Sequence, residues 1–318
     1  MTRSLRIVDD EEVRGVLDLD RAYDAVRGAY LEAAANPPVL STPPALLMRH
    51  PSAPALASKV KGAQSPALGV AGFRIVTDHE GPDGEVSHDF QWLTDLATGA
   101  PIGLVEMNTL HAVRTALTGV IALEALRGPS CPVVAVLGAG RIAGHLVGIL
   151  RARLQPNLIR VAGSGPGRAC AFAAHHGAPV VAVDTVAQAL DGADAVIAIT
   201  SAGAPIVHAG MLRPGMTVVG MGGGHECDVS VLHWADRFVV DDLAFALVSG
   251  SLGAWVRTGA TDAATAHGLL SGSLGAVLAG TRAGRHRPGE NVFAIVQGMA
   301  CCDLALASMV WAAARPTM

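Results

Sequence analysis

Apolar residues in the first 35 positions recur at helical spacing: Val13, Val16 and Leu17, then Ala22, Ala25, Val26, Ala29 and Tyr30. This predicts a helix. The stretch Asn36-Pro-Pro-Val-Leu-Ser-Thr-Pro-Pro44 ends it, because proline has no N–H to donate and its ring clashes inside a helix. From Ala45 to Leu104 the period shortens. Apolar runs (LGVAGFRIV, HDFQWLTDL) alternate with turn signals (EGPDGEV, ATGAP), which predicts a β-rich, antiparallel region. A helix is expected over 109–127, stopped by Gly128-Pro129. At Cys131 the character changes to short apolar runs alternating with helical segments. CPVVAVLGAG, LIRVAGS, PVVAVD, ADAVIAIT, MTVVGMGGG and DRFVVDD read as strands. Such alternation implies a parallel sheet with helices on both faces. The apolar tail, 299–314, reads as a helix packed back on the first region. The expected fold class is α/β: a Rossmann-type doubly wound parallel sheet (118–298) plus a smaller α+β domain that is discontinuous in sequence (1–117 with 299–318).

The chain has 318 residues, 51% hydrophobic and 16% charged, with a formal net charge of −4. So long and apolar a chain buries a large core and suits two domains. Without a basic surplus, no nucleic-acid partner is expected. No run of roughly 18 apolar residues escapes interruption by charge, glycine or proline, so no membrane span is expected. The cysteines (Cys131, Cys170, Cys227, Cys301, Cys302) are odd in number and lack a framework spacing. They read as reduced thiols of a cytoplasmic protein, and the polar N-terminus carries no signal-peptide pattern.

The sharpest chemical signal is Gly138-Ala139-Gly140-Arg141-Ile142-Ala143, set between a strand and a helix. In that context the first glycine permits a tight turn and the second lets a pyrophosphate approach the backbone at the helix N-terminus. The small third residue allows close helix–strand packing. No Asp or Glu stands at the end of the next strand, where an NAD site usually carries one for the ribose hydroxyls. Ser164 and Arg168 stand there instead and suit a 2′-phosphate, so NADPH is expected over NADH. His225-Glu-Cys-Asp228 contains metal-capable side chains, but four consecutive residues cannot converge on one ion, and no metal site is expected.

Several segments together resemble the ornithine cyclodeaminase/mu-crystallin family, from about Pro44 to Ala313. They are Asp95-Leu-Ala-Thr98-Gly99-Ala-Pro101, His111-Ala-Val-Arg114-Thr115-Ala116, the glycine turn, Thr200-Ser-Ala-Gly-Ala-Pro205, Ala235-Asp236 to Asp242, Leu274 to Gly280, and Gln297-Gly298 to Asp303-Leu-Ala. The resemblance implies a homodimer in which the smaller domain serves dimerisation and substrate binding and the Rossmann domain holds a nicotinamide cofactor. It implies that Arg114 touches substrate carboxylate and cofactor phosphate and that Thr115 supports the phosphate. It also places Thr200, Met221, Gly222 and Gln297 along the cofactor. A guanidinium is well suited to Arg114's task, since it meets a carboxylate or phosphate with two parallel hydrogen bonds.

Two departures bear on chemistry. The family usually carries a lysine where Arg74 stands; arginine can clamp a carboxylate but is a poor acid. Lys59 and Lys61 lie upstream and can serve instead, and Arg49 is a further candidate for carboxylate binding. The loop Gly220 to Asp228 is shortened and lacks the aspartate that cyclodeaminases use, which leaves His225 as the nearest titratable group. His111 lies one helical turn before Arg114 on the same face and is the second acid candidate; water is the third. The expected activity is that of an NAD(P)-dependent oxidoreductase on the C=N or C–N bond of a small carboxylate-bearing substrate: an imine or ketimine reductase, or an amino acid dehydrogenase. The alternatives are a non-catalytic NADPH-binding protein and a tailoring reductase with a larger substrate. Ornithine-type cyclising deamination is disfavoured.

Overall fold

The computed structural model describes residues 5–35, 40–50, 53–81 and 84–314. The chain divides into two compact units, Met1–Arg114 with Gly298–Met318, and Thr115–Gln297. The divisions fall within three residues of the boundaries expected from the sequence, 117/118 and 298/299.

In the first unit, β1 (Ile7–Val8) leads into α1 (Asp10–Val16) and α2 (Leu19–Ala35). The single helix expected here is two. Leu17 leaves the helical region at ψ 114, and Asp18 starts a new helix by accepting the Arg21 N–H on its side chain. Strands β2 (Leu46–His50), β3 (Ala53–Ser65), β4 (Val70–Gly81), β5 (Gly84–Asp95) and β6 (Pro101–Glu106) follow. The sheet order is β1-β6-β5-β4-β3-β2. β2 to β6 pair antiparallel in succession. β1 joins β6 in parallel. Next comes α3 (Asn108–Leu126), within which the division between units falls. It is long and apolar enough to cross a membrane, yet most of it is buried inside the fold, as a core helix is. The tail helix packs against β3, β4, β5 and α2 of this unit.

Cross-strand register decides which residues face that helix. Lys61 stands opposite Arg74, and Arg74 opposite Gln91; Lys59 stands opposite Val76, and Val76 opposite Asp89. Because side chains alternate between faces, these share the helix-covered face. The other face carries Leu56, Phe73, Ile75 and Val86, all exposed. The covered face thus holds charge beside buried apolar residues such as Val76 and Leu93, and apolar side chains also stand in the open on the other.

The second unit runs β7 (Val133–Leu137), α4 (Arg141–Arg153), β8 (Leu158–Ala162), α5 (Pro166–His176), β9 (Val180–Ala182), α6 (Val186–Leu190), β10 (Ala195–Ala198) and β11 (Thr217–Gly220). It continues with α7 (Val229–Trp234), β12 (Arg237–Val240), α8 (Leu243–Ala246), α9 (Gly250–Thr258), α10 (Ala263–Leu269), β13 (Leu270–Ser273), α11 (Leu274–Leu278) and β14 (Val292–Ile295). The tail helix of the first unit is α12 (Ala300–Ala313). The sheet is parallel throughout, in the order β13-β12-β14-β11-β10-β7-β8-β9. From β7 the chain steps outward to β8 and β9, then returns to lay β10 on the other side of β7. The carboxyl ends of β7 and β10 therefore flank a topological switch point, the crevice where open α/β sheets bind ligands. Two strands, β13 and β14, were not anticipated. Phe238 and Phe293 stack 5.6 Å apart in the core below this edge.

Candidate functional site

The glycine turn occupies the switch point. Gly138 has φ 124, and a side chain built on it would land on the carbonyl oxygen of Ile199, which follows β10. Only glycine meets both demands. Gly140, the N-cap of α4 at φ −98 with no side-chain cap, has nothing within 4 Å of where a Cβ would stand. The first N–H groups of a 13-residue helix thus face an open cradle. Ala143 is buried against the strand. A cavity of about 510 Å³ lies over the turn, lined by Gly138, Ala139, Gly140, Ser164, Arg168 and Thr200 among others. Arg141 is exposed and Ile142 half-buried at the start of α4. Ser164 and Arg168 are exposed at the mouth of α5. An open cradle, an uncapped helix N-terminus and a lining without acidic side chains fit a dinucleotide pyrophosphate.

The loops after β10 and β11 are tied together by Glu226, which is 1% exposed. Its carboxylate accepts the backbone N–H of Thr200 and that of Gly222 at 2.7 Å. Burial raises its pKa against the opposing pull of those amides. Met221 and Gly222 are buried in the same loop, and Gln297 Nε2 donates to the Gly222 carbonyl at 3.3 Å. Thr115 is buried at the start of this unit. His225 donates its backbone N–H to Ala202 at 2.9 Å. Its Nε2 is buried with no hydrogen-bond partner among the described residues. Asp228 is spent as the N-cap of α7, so the carboxylates of this loop are both committed to backbone amides.

The first unit buries a charge cluster. Asp303, in the first turn of α12, is 0% exposed. Its Oδ1 accepts from Arg114 Nε at 2.7 Å and pairs with Arg74 Nη1 at 3.5 Å. Arg74 also grips Asp89 with both Nε, at 2.8 Å, and Nη2. Its guanidinium is therefore satisfied by two carboxylates, which burial opposes but which together raise its pKa. Arg114, 1% exposed, also lies with Nη2 3.3 Å from His111 Nδ1. Lys61, 6% exposed, donates from Nζ to the Gly298 carbonyl at 3.3 Å. Burial brings its pKa down to about 8, with Asp303 pulling the other way. Lys59 is half-buried and its pKa is lowered by burial and by Arg74. His111 is driven well below its usual pKa by burial, then by Arg74 and Arg114. Arg49 pairs its backbone with Ala57; its side chain lies outside the described residues.

The expected residues thus fall into two groups, one in each unit. The turn residues, Ser164, Arg168, Thr200, Met221, Gly222, Gln297 and His225 belong to the second; Lys59, Lys61, Arg74, His111 and Arg114 belong to the first. Asp89, Glu226 and Asp303 were not singled out, yet they organise both groups. Asp303 carried one legible signal, a lone charge in an otherwise apolar helix. Buried charges are kept only when paired.

A doubly wound parallel sheet with a glycine turn at its switch point defines a dinucleotide-binding fold. The chain belongs to the ornithine cyclodeaminase/mu-crystallin family, whose pattern it matches over residues 45–317. Ketimine reductase mu-crystallin of Mus musculus is 27% identical over 264 residues, 79% of each chain. The delta(1)-pyrroline-2-carboxylate reductase of Bacillus cereus is 25% identical over 262 residues, 77% of each chain. An archaeal alanine dehydrogenase, solved as a dimer with bound NAD, has a TM-score of 0.87 at 24% identity, over 98% of this chain and 96% of that one. This last likeness is one of fold.

Proposed function

We propose that this chain is an NAD(P)-dependent oxidoreductase acting on the C=N or C–N bond of a small carboxylate-bearing substrate, as an imine or ketimine reductase or an amino acid dehydrogenase. The carrying observation is the buried cationic cluster of Lys61, Arg74 and Arg114 about Asp303. Such a cluster recognises a carboxylate, and the names of the mouse and Bacillus relatives supply the C=N chemistry. When bound, the nicotinamide supplies a hydride for the substrate carbon. Arg114 holds the substrate carboxylate, with Lys59 in support. Fixing a substrate by its carboxylate orients the reacting carbon, and that positioning supplies much of the rate. Lys61, with a pKa of about 8, is protonated at neutral pH and delivers the proton to the imine nitrogen. His225, whose Nε2 is buried and unpartnered among the described residues, is the second acid to test.

NADPH is the proposed cofactor, supported by Ser164 and Arg168 at the cavity edge and by the absence of an acidic side chain in its lining. A second copy of the chain is the proposed partner, covering the apolar face with Leu56, Phe73, Ile75 and Val86. All five cysteines are free thiols, which supports a cytoplasmic setting.

The test is oxidation of NADPH and NADH against a panel of cyclic imine carboxylates and of 2-oxo acids with amines. Turnover of at least one carboxylate-bearing imine is expected, with its uncharged analogue inactive. NADPH binding without turnover of any substrate would replace this reading with that of a binding protein.

A further inference from the structure

The charge cluster of the first unit holds more order than carboxylate capture requires. One buried carboxylate, Asp303, is shared by arginines from two different elements, β4 and α3. Arg74, gripped on its other side by Asp89, ties Asp303 to the sheet. Arg114 is bounded from a second direction by Gly298, which has φ 82. A side chain built there would overlap Nη1 of Arg114. The guanidinium is thus fixed by a carboxylate at its Nε side and by bare backbone beside Nη1. The Gly298 carbonyl in turn receives Lys61 Nζ.

We propose that Asp303 is a positioning residue for this site. It orients Arg114 by its Nε side so that the Nη end meets the substrate carboxylate, and it is the negative charge of the buried cluster in which the Gly298 carbonyl holds Lys61. Arg74 is then the strut that holds Asp303, not a substrate clamp. The proposal rests on the oxidoreductase reading above and adds to it the residue that sets the geometry and charge of its carboxylate pocket.

A carboxylate, not merely a hydrogen-bond acceptor, is needed here. The charged groups around Lys61 are Lys59 on its own strand, Arg74 on β4, Arg114 on α3 and Asp303 on α12. Asp303 is the anion among them, since Asp89 is gripped by Arg74. Removing its charge leaves Lys61 among cations and makes it surrender its proton at lower pH.

The experiment compares wild type with Asp303→Asn and Gly298→Ala. Three quantities are measured: KM and kcat for an imine carboxylate at saturating NADPH, the pH profile of kcat/KM, and the NADPH Kd. Calorimetric binding of pyridine-2-carboxylate, a planar carboxylate, in the presence of NADP+ gives a readout independent of turnover. Asp303→Asn is expected to raise KM and weaken pyridine-2-carboxylate at least tenfold, to move the basic limb of the profile to lower pH, and to leave the NADPH Kd within twofold. Gly298→Ala displaces Arg114 without removing charge, so KM is expected to rise while the basic limb stays in place. Unchanged carboxylate affinity in folded Asp303→Asn overturns the proposal. So does an equal loss of NADPH binding, which would mark Asp303 as a support of the whole fold. If wild type binds pyridine-2-carboxylate but turns over nothing, the oxidoreductase reading falls. The positioning role is then decided by calorimetry alone.

Discussion

Gly138 and Gly140 stand two residues apart in the same turn, yet alanine should cost folding at the first and cofactor binding at the second. At Gly138 the added methyl requires a non-glycine residue at φ 124 and drives it onto the Ile199 carbonyl, a backbone atom that cannot rotate away. Strain at such a backbone angle costs about 1–3 kcal/mol, and overpacking adds about 1–3 kcal/mol. A total near 4 kcal/mol lowers Tm by about 8–16 °C in a domain of this size. At Gly140, φ is −98 and no atom lies within 4 Å of the new methyl. There the lower entropy of the unfolded chain is offset by alanine's poorer fit at a helix N-cap, and stability should stay close to wild type. The methyl does occupy the cradle proposed for the pyrophosphate, so NADPH affinity should fall at least tenfold, about 1.4 kcal/mol. The assay pairs thermal melts with fluorescence titration of NADPH. Gly140→Ala should fold like wild type and bind poorly; Gly138→Ala should melt early. If Gly140→Ala binds NADPH within twofold of wild type, the cavity over this turn is not the dinucleotide site. A wild-type Tm for Gly138→Ala would refute the contact with Ile199.

Breaking the buried Arg74–Asp89 grip with Arg74→Leu leaves Asp89 charged and unpaired, which costs about 3–5 kcal/mol. The effect should appear in the melting temperature, and a variant that keeps its Tm while KM rises would restore Arg74 as a clamp. With Lys61 at about pKa 8, below its unfolded value near 10.5, the native state holds fewer protons than the unfolded chain between these values. Stability contributed by this group therefore rises with pH across that window, while kcat/KM falls above about pH 8 as the donor is lost. Lys61→Met should abolish the basic limb; a limb that persists unchanged assigns the proton to another group. Arg168→Ala should weaken NADPH at least tenfold and leave NADH unchanged, measured by titration; equal losses for both would place Arg168 away from a 2′-phosphate.

Features encoded over a few neighbouring residues could be read without the fold. The glycine turn was legible because a buried strand, a backbone angle reserved for glycine and an uncapped helix start are local properties. The strands β7 to β12 and the helices α3, α4, α5 and α12 were legible for the same reason. His111 and Arg114 could be placed on one helical face by spacing alone. β14 escaped because VFAI is a short apolar run like many others, and only the sheet reveals that it lies between β11 and β12. β13, Leu-Ser-Gly-Ser, escaped because it lacks apolar alternation. Alternation located the strands of the first unit, but could not tell that their charged face is the covered one, since that depends on which side α12 packs. Above all, the meeting of Arg114 with Asp303, 189 residues apart, and the register that spends Arg74 on Asp89 are products of tertiary structure. Ion pairs form where packing brings charges together out of water, and no window of sequence contains both partners.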